Sequence, residues 1–211
     1  MIYETQETLS DAALVGKILD GDHRMYELLI RRYNQRLYRI GMSVLGDEAA
    51  VEEAMQVTYI NAWKHLTQFE HRSSLSTWLS RILLNECYGQ KRKGQRMRPV
   101  PVTDNIVTME TPENALANKE LGRILEKAIA RLPEKYRLVF VLREIEKTPV
   151  RETSEVLQIE EQNVKTRLNR AKAMLKADLA DVLGDHVYSF HLNKCDRIVN
   201  AVMERLAMAQ R

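Results

Sequence analysis

The chain has 211 residues, 45% hydrophobic, 29% charged and 6% aromatic, with a formal net charge of +3. Gly (8) and Pro (5) stand at about half their usual share, which argues against a β-sandwich, a collagen-like chain and a low-complexity tail. The longest apolar runs are as short as LVFVL at 138–142, so no bilayer-spanning helix and no membrane insertion are expected.

Chain order then reads as a succession of helices. The acidic opening, MIYETQETLSDAALVG, lacks the basic-then-apolar layout of a secretory signal. Ser10 and Asp11 can cap a helix that runs to about Leu19, where DGD (20–22) breaks it. From Asp22 to Leu45 apolar residues recur at helical spacing: Met25, Leu28, Leu29, Tyr33, Leu37, Ile40 and Val44. Gly46 and Asp47 end that helix and cap a third, which extends to about Leu66 with Val51, Ala54, Met55, Thr58, Ala62 and Trp63 on one face. A polar break, EHRSS (70–74), precedes a fourth helix from Leu75 to about Lys93, striped by Trp78, Leu79, Ile82 and Leu83.

Composition changes at 94–113, GQRMRPVPVTDNIVTMETPE, which holds three of the five prolines. Its Val-Pro pairs disfavour helix, and it reads as an extended linker. Helicity resumes near Asn114 with Leu116, Leu121, Ile124, Leu125, Ile129 and Leu132, and Pro133 opens a further helix, PEKYRLVFVLREIE. Two shorter segments follow, at about 149–157 and 160–182, closed by Gly184 and Asp185. The fold class is therefore all-α: residues 1–95 form one helical domain, 96–113 a linker, 114–183 a second domain, and 184–211 an amphipathic extension with Ile198, Val199, Val202, Met203 and Leu206. Cys87 and Cys195 lie too far apart for a CxxC site and imply no disulfide framework; Cys87 falls near an apolar stripe and reads as core. The whole reads as a cytoplasmic protein.

Charge is unevenly spread. Residues 1–30 carry six acids against Lys17 and Arg24, and 46–56 adds Asp47, Glu48, Glu52 and Glu53 with no base. By contrast, 91–98 holds Lys91, Arg92, Lys93, Arg96 and Arg98, and 165–176 holds Lys165, Arg167, Arg170, Lys172 and Lys176 with no acid. Two separated basic clusters suit a polyanion touched at two places, and acidic patches suit a protein partner; equally, each cluster suits a solvated helix face.

A short helix, a tight bend and a longer basic helix near the C-terminal end describe a helix-turn-helix, whose second helix enters the major groove. Val150, Thr153 and Val156 would face inward on the first helix, with Leu157 and Ile159 at the bend and Val164, Leu168 and Ala171 inward on the second. Gln162, Asn163, Lys165, Thr166, Asn169, Arg170 and Lys172 would then look outward. Arg and Lys can donate to guanine O6 and N7, Asn and Gln can pair with adenine, and the rest reach phosphate. Against this, Glu160 and Glu161 sit near the reading face and no glycine occupies the bend, so a generic helical hairpin remains the other reading.

The N-terminal half is more specific. FEHRSSLSTWLSRILLNECYGQKRK (69–93) resembles the stretch of sigma factors that opens and reads the −10 element. GDEAAVEEAMQVTYINAWKHL (46–66) resembles the segment just upstream, which binds the RNA polymerase clamp, and 115–175 is similar to the domain that reads the −35 element. The short two-domain layout, without long intervening domains, resembles the extracytoplasmic-function (ECF) group of the sigma-70 family. The resemblance implies that the loop Phe69 to Leu75 captures a base flipped from the non-template strand. Phe69, His71, Ser73 and Asn85 would supply stacking and edge hydrogen bonds, with Arg81 nearby. Lys91, Arg92 and Lys93 would grip phosphates. Trp78 suits either core or base contact, and Arg81 either DNA or a core-edge carboxylate.

The resemblance also implies polymerase contacts at Glu52, Glu53, Gln56 and Asn61. The family pattern of an acid, Gln three positions on and then another acid is met at Glu53 and Gln56 but lost at Val57. It implies −35 contact at Lys165, Thr166, Asn169, Arg170 and Lys172, with Arg170 on a base edge and Lys165 and Lys172 on phosphate. Core RNA polymerase, promoter DNA and an anti-sigma factor are the partners implied.

No P-loop, Ser/His/Asp arrangement or metal-ligand spacing stands out, so neither catalysis nor a cofactor is expected. His186, His191 and Cys195 could supply three zinc-type ligands but lack a fourth, and an amphipathic helix docking on one domain is the simpler reading, without metal. The expected function is that of an alternative sigma factor that directs core polymerase to promoters and helps melt the −10 element. The rivals are a stand-alone helix-turn-helix regulator, which leaves 46–93 unexplained, and a helical adaptor with no DNA role.

Overall fold

The computed structural model describes residues 9–94 and 114–183. The expected linker and the C-terminal extension, with His186, His191 and Cys195, lie outside the described residues. Eight α-helices are found among those described, and no strand. In the first unit α1 (Asp11–Leu19), α2 (Arg24–Leu45), α3 (Glu48–His65) and α4 (Leu75–Gly94) pack as a bundle.

Local chemistry sets the boundaries. Ser10 Oγ accepts from the Ala13 amide at 3.3 Å and caps α1. Asp11 instead ties α1 to α2: Arg32 Nη1 donates to one carboxylate oxygen at 2.8 Å and the Tyr33 hydroxyl to the other at 2.5 Å. Gly46, at φ 70°, provides the left-handed residue that ends α2, and Asp47 Oδ1 caps α3 by accepting from Ala50 N at 2.9 Å. Leu29, Leu37, Ile40, Val51, Ala54, Ala62, Leu79 and Leu83 are all fully buried between α2, α3 and α4, as their spacing predicts. Cys87 joins them, and burial pushes its thiol pKa up to about 12, so it is an inert core residue.

Trp63 departs from expectation. It is 40% exposed, because Ala62 takes the inward position and the next residue lies about 100° around the helix. Its indole instead meets Tyr26 and His23 edge-on, at 4.8 and 5.1 Å between ring centres.

The second unit comprises α5 (Asn114–Arg131), α6 (Glu134–Phe140), α7 (Val150–Leu157) and α8 (Glu161–Leu183). The sequence predicts one helix over 133–146. In the structure α6 widens into a π turn at Val141–Ile145, where Glu146 N bonds to Val141 O at 2.9 Å. Ala128, Leu132, Tyr136, Ala171 and Leu175 form a small core of this unit. Leu138, Leu142 and Val156, by contrast, belong to the same apolar cluster as α1–α4, so the two units pack on one another.

Candidate nucleic-acid interface

The helix-turn-helix is formed by α7 and α8. Thr153 and Val156 are buried on the first helix, Val164, Ala171 and Leu175 on the second, while Val150 and Leu168 are half-buried. The bend that lacks glycine is made by Gln158 in the left-handed conformation, φ 52°, with its amide bonded to Ser154 O. An L-residue held there costs about 1 kcal/mol, which the buried faces on both sides offset. Gln162, Asn163, Lys165, Thr166, Asn169, Arg170 and Lys172 are all exposed on one stretch of α8.

Three of those seven are already engaged within the unit. Thr166 Oγ1 donates back to Gln162 O at 2.9 Å. Lys172 Nζ pairs with Glu144 at 2.8 Å, and Lys172 holds the Glu144 carboxyl below its usual pKa. Arg170 Nη1 donates to the Tyr136 hydroxyl at 3.4 Å, a contact that lowers the phenol's pKa. Tyr136, which sequence reasoning treated only as part of a helix, therefore steadies the guanidinium chosen for a base edge.

The loop between α3 and α4 differs from expectation at Phe69. After a 3-10 turn at Leu66–Gln68 the chain tucks Phe69 inward, leaving it 8% exposed against Trp78 at 5.2 Å and His71 at 4.5 Å between ring centres. A benzyl ring has no polar handle to satisfy in water, and the turn places it over the start of α4, so it is a core residue and offers no free face to a base. The accessible aromatic groups are His71, exposed at φ 54°, and the half-buried Trp78. Ser73 is half-buried in the loop, and Arg81 and Asn85 stand exposed one helical turn apart on α4. Among the described residues no salt bridge joins Arg81 to a carboxylate. Of the terminal bases, Arg92 and Lys93 are exposed, whereas Lys91 pairs with Glu134 of the second unit.

The acidic face of α3 borders a groove of about 650 Å³ lined by Ile30, Asn34, Tyr38, Glu52, Met55 and Gln56 among others. Tyr59 fixes its floor by donating to Ile30 O at 3.2 Å, while Tyr26 donates to Tyr59 O at 2.5 Å. Burial, followed by Glu48, Glu52 and Glu126, raises the Tyr38 pKa, so the groove carries a neutral hydroxyl beside carboxylates. Glu53 is exposed and Asn61 half-buried, and neither lines the groove. The α2 wall (Asn34, Gln35, Tyr38) was missed from sequence, because polar residues on a helix look alike until a second helix makes a concavity beside them.

Among the described residues no three His, Cys, Asp or Glu side chains group as a metal site, and no helix is long and apolar enough to cross a membrane. Two family descriptions match: Sigma-70 region 2 over residues 29–97 and Sigma-70, region 4 over 122–175. The ECF RNA polymerase sigma factor SigW of Bacillus subtilis is 28% identical, over 80% of this chain and 96% of its own. The ECF RNA polymerase sigma-E factor of Haemophilus influenzae is 26% identical, over 81% and 95%. The structure of CnrH in complex with the cytosolic domain of CnrY aligns with a TM-score of 0.58 at 27% identity, covering 80% of this chain and 96% of that one. With one region matching α2–α4, the other matching α5–α8, and relatives spanned almost end to end, the chain belongs to the sigma-70 family of RNA polymerase sigma factors, in its ECF group.

Proposed function

We propose that this ECF sigma factor divides its work between its two units. It binds core RNA polymerase, directs it to promoters and helps melt the −10 element; it acts in the cytoplasm and catalyses no reaction itself. In the assigned division, residues 1–95 carry polymerase and −10 binding. The groove between α2 and α3 takes a basic helical element of polymerase, with Glu52 and Gln56 at its rim and Glu53 and Asn61 on the flanks. His71, Ser73, Arg81 and Asn85 hold the flipped base and its neighbours, and Lys91, Arg92 and Lys93 meet phosphates. Residues 114–183 read the −35 element, with Arg170 on a base edge, Gln162, Asn163, Thr166 and Asn169 beside it, and Lys165 and Lys172 on phosphate.

The observation that supports this most is the exposed row on α8, presented by a helix-turn-helix in a chain that also carries the α3–α4 loop. A stand-alone regulator has no use for the latter. An anti-sigma factor is the inhibitory partner that the ECF resemblance implies, and the structurally similar CnrH is likewise seen in complex with another protein, the cytosolic domain of CnrY.

Run-off transcription with core enzyme on genomic fragments, with start sites mapped, tests the reading. Arg170→Ala should weaken use of the upstream element about tenfold or more while core affinity holds, the loss expected for a guanine-pairing arginine. Loss of core affinity instead would overturn the division, and initiation at no defined sites would overturn the function.

A further inference from the structure

Two cations of α8 are held in different ways by the helix that packs beneath them. Ala171 is fully buried, so Arg170 and Lys172 leave α8 on its two flanks, about 100° to either side. A residue of α6 or of its π turn meets each of them. On one flank Lys172 Nζ lies 2.8 Å from a Glu144 oxygen, a charged pair. On the other, Arg170 Nη1 donates to the Tyr136 hydroxyl at 3.4 Å, a bond to an uncharged side chain.

Tyr136 is built as a fixed acceptor. Its residue is 7% exposed and packs in the small core with Ala128, Leu132, Ala171 and Leu175, and with two side-chain torsions the buried ring fixes where the hydroxyl stands. Arg170 is exposed and long, so without a tether it samples many rotamers and loses them on meeting DNA, which costs about two- to tenfold in affinity. The contact takes Nη1 and leaves the parallel hydrogens of the Nε–Nη2 edge for the two acceptors, O6 and N7, of a guanine. A phenol oxygen suits this place better than a carboxylate would. It accepts from one nitrogen without drawing in the whole fork, and it sets no carboxylate charge beside the DNA backbone. At 3.4 Å the bond is also long, so it directs the side chain while yielding to a closer contact with a base.

Resting on the reading of Arg170 as a base-edge contact in the −35 element, we propose that Tyr136 is a positioning residue for promoter specificity. Its hydroxyl holds the Arg170 guanidinium in the orientation that selects guanine, and it touches no base itself. No other base presents two acceptors in the major groove, so the held fork is rewarded only at guanine. The hydroxyl therefore contributes to discrimination between bases rather than to general affinity for DNA.

The test uses holoenzyme and run-off initiation on a mapped promoter, with each base pair of the upstream element replaced in turn by the other three. Arg170→Ala locates the position where base preference is lost, which should be a guanine. At that position Tyr136→Phe, which removes the hydroxyl and keeps the ring in its core, should lower the ratio of initiation with guanine to initiation with other bases about two- to tenfold. Ratios elsewhere, core affinity and the salt slope should stay as in wild type, because no phosphate contact is lost. Added to Arg170→Ala, or to Arg170→Lys, which keeps the charge but has no fork, Tyr136→Phe should change nothing further. Glu144→Gln, which releases Lys172 on the other flank, is the control and should leave the guanine ratio intact. An unchanged ratio in Tyr136→Phe, an equal loss at every position, the same loss in Glu144→Gln, or a further loss on top of Arg170→Ala would each overturn the proposal. A Tyr136→Phe chain without a cooperative urea transition would do so too, since the hydroxyl would then serve folding. These failures leave Arg170→Ala with its lost preference; if Arg170→Ala alters preference nowhere, the reading of Arg170 has itself failed and takes the proposal with it.

Discussion

Gly41 of α2 packs directly on Val51 of α3, and the consequence of filling it can be worked from distances. A Cβ at this position would stand 2.8 Å from Val51 Cγ1 and 3.3 Å from Cγ2. Val51 is fully buried and β-branched, with one strongly preferred helical rotamer, so it cannot swing away. Overpacking of this kind costs about 1–3 kcal/mol, and the short distance puts Gly41→Ala in the upper half of that range. Alanine in a helix interior returns about 1 kcal/mol over glycine, leaving a net loss of about 1–2 kcal/mol. Val51→Ala alone should cost about 2–3 kcal/mol through the lost methyls and residual cavity. With the branched side chain gone, however, adding Gly41→Ala should stabilise, by up to about 1 kcal/mol. Urea unfolding of the four chains, read from midpoints at unchanged slope, measures the cycle and should give a coupling of about 2–3 kcal/mol. The reasoning fails if Gly41→Ala stabilises the wild-type chain, or if it costs the same in both backgrounds.

Phe69→Leu should cost less than about 1.5 kcal/mol and leave promoter melting intact, as for a volume-tolerant core site. His71→Ala should shift stability by less than about 0.5 kcal/mol yet reduce initiation; the reverse pattern in run-off and unfolding assays would restore Phe69 as the base-stacking group. Gln158→Gly exchanges relief of left-handed strain against a looser unfolded chain and should move stability by less than about 0.5 kcal/mol, whereas Gln158→Val should cost more than about 1 kcal/mol in thermal unfolding. Alkali should also weaken the fold. Burial lifts Tyr26 up to about 12 and raises Tyr33 and Tyr59 as well. Below the ordinary phenol pKa of about 10 both states are protonated and stability is flat; above it the unfolded chain loses protons that the native one keeps. Unfolding free energy should therefore fall from pH 10 to 12, and a value constant over that window in a urea series would contradict the burial.

The helices themselves were legible because each rests on local rules. Ser10, Gly46 and Asp47 mark ends through caps that need only neighbouring atoms, and the stripes of α2 and α4 repeat at the helical period. The exposed row of α8 followed from the same arithmetic, since Val164 and Ala171 point the opposite way. What no local rule contains is which helix lies beside which. That decided the inward turn of Phe69, the outward Trp63, the α2 wall of the groove, and the pairing of Lys91 and the α4 hydroxyls with acids more than forty residues away. A single sequence records the chemistry of Glu134 and Glu152 but not their distance from α4. Only the packing of Leu138, Leu142 and Val156 into the core of the first unit brings Glu152 against Ser74 and Thr77 and Glu134 against Lys91.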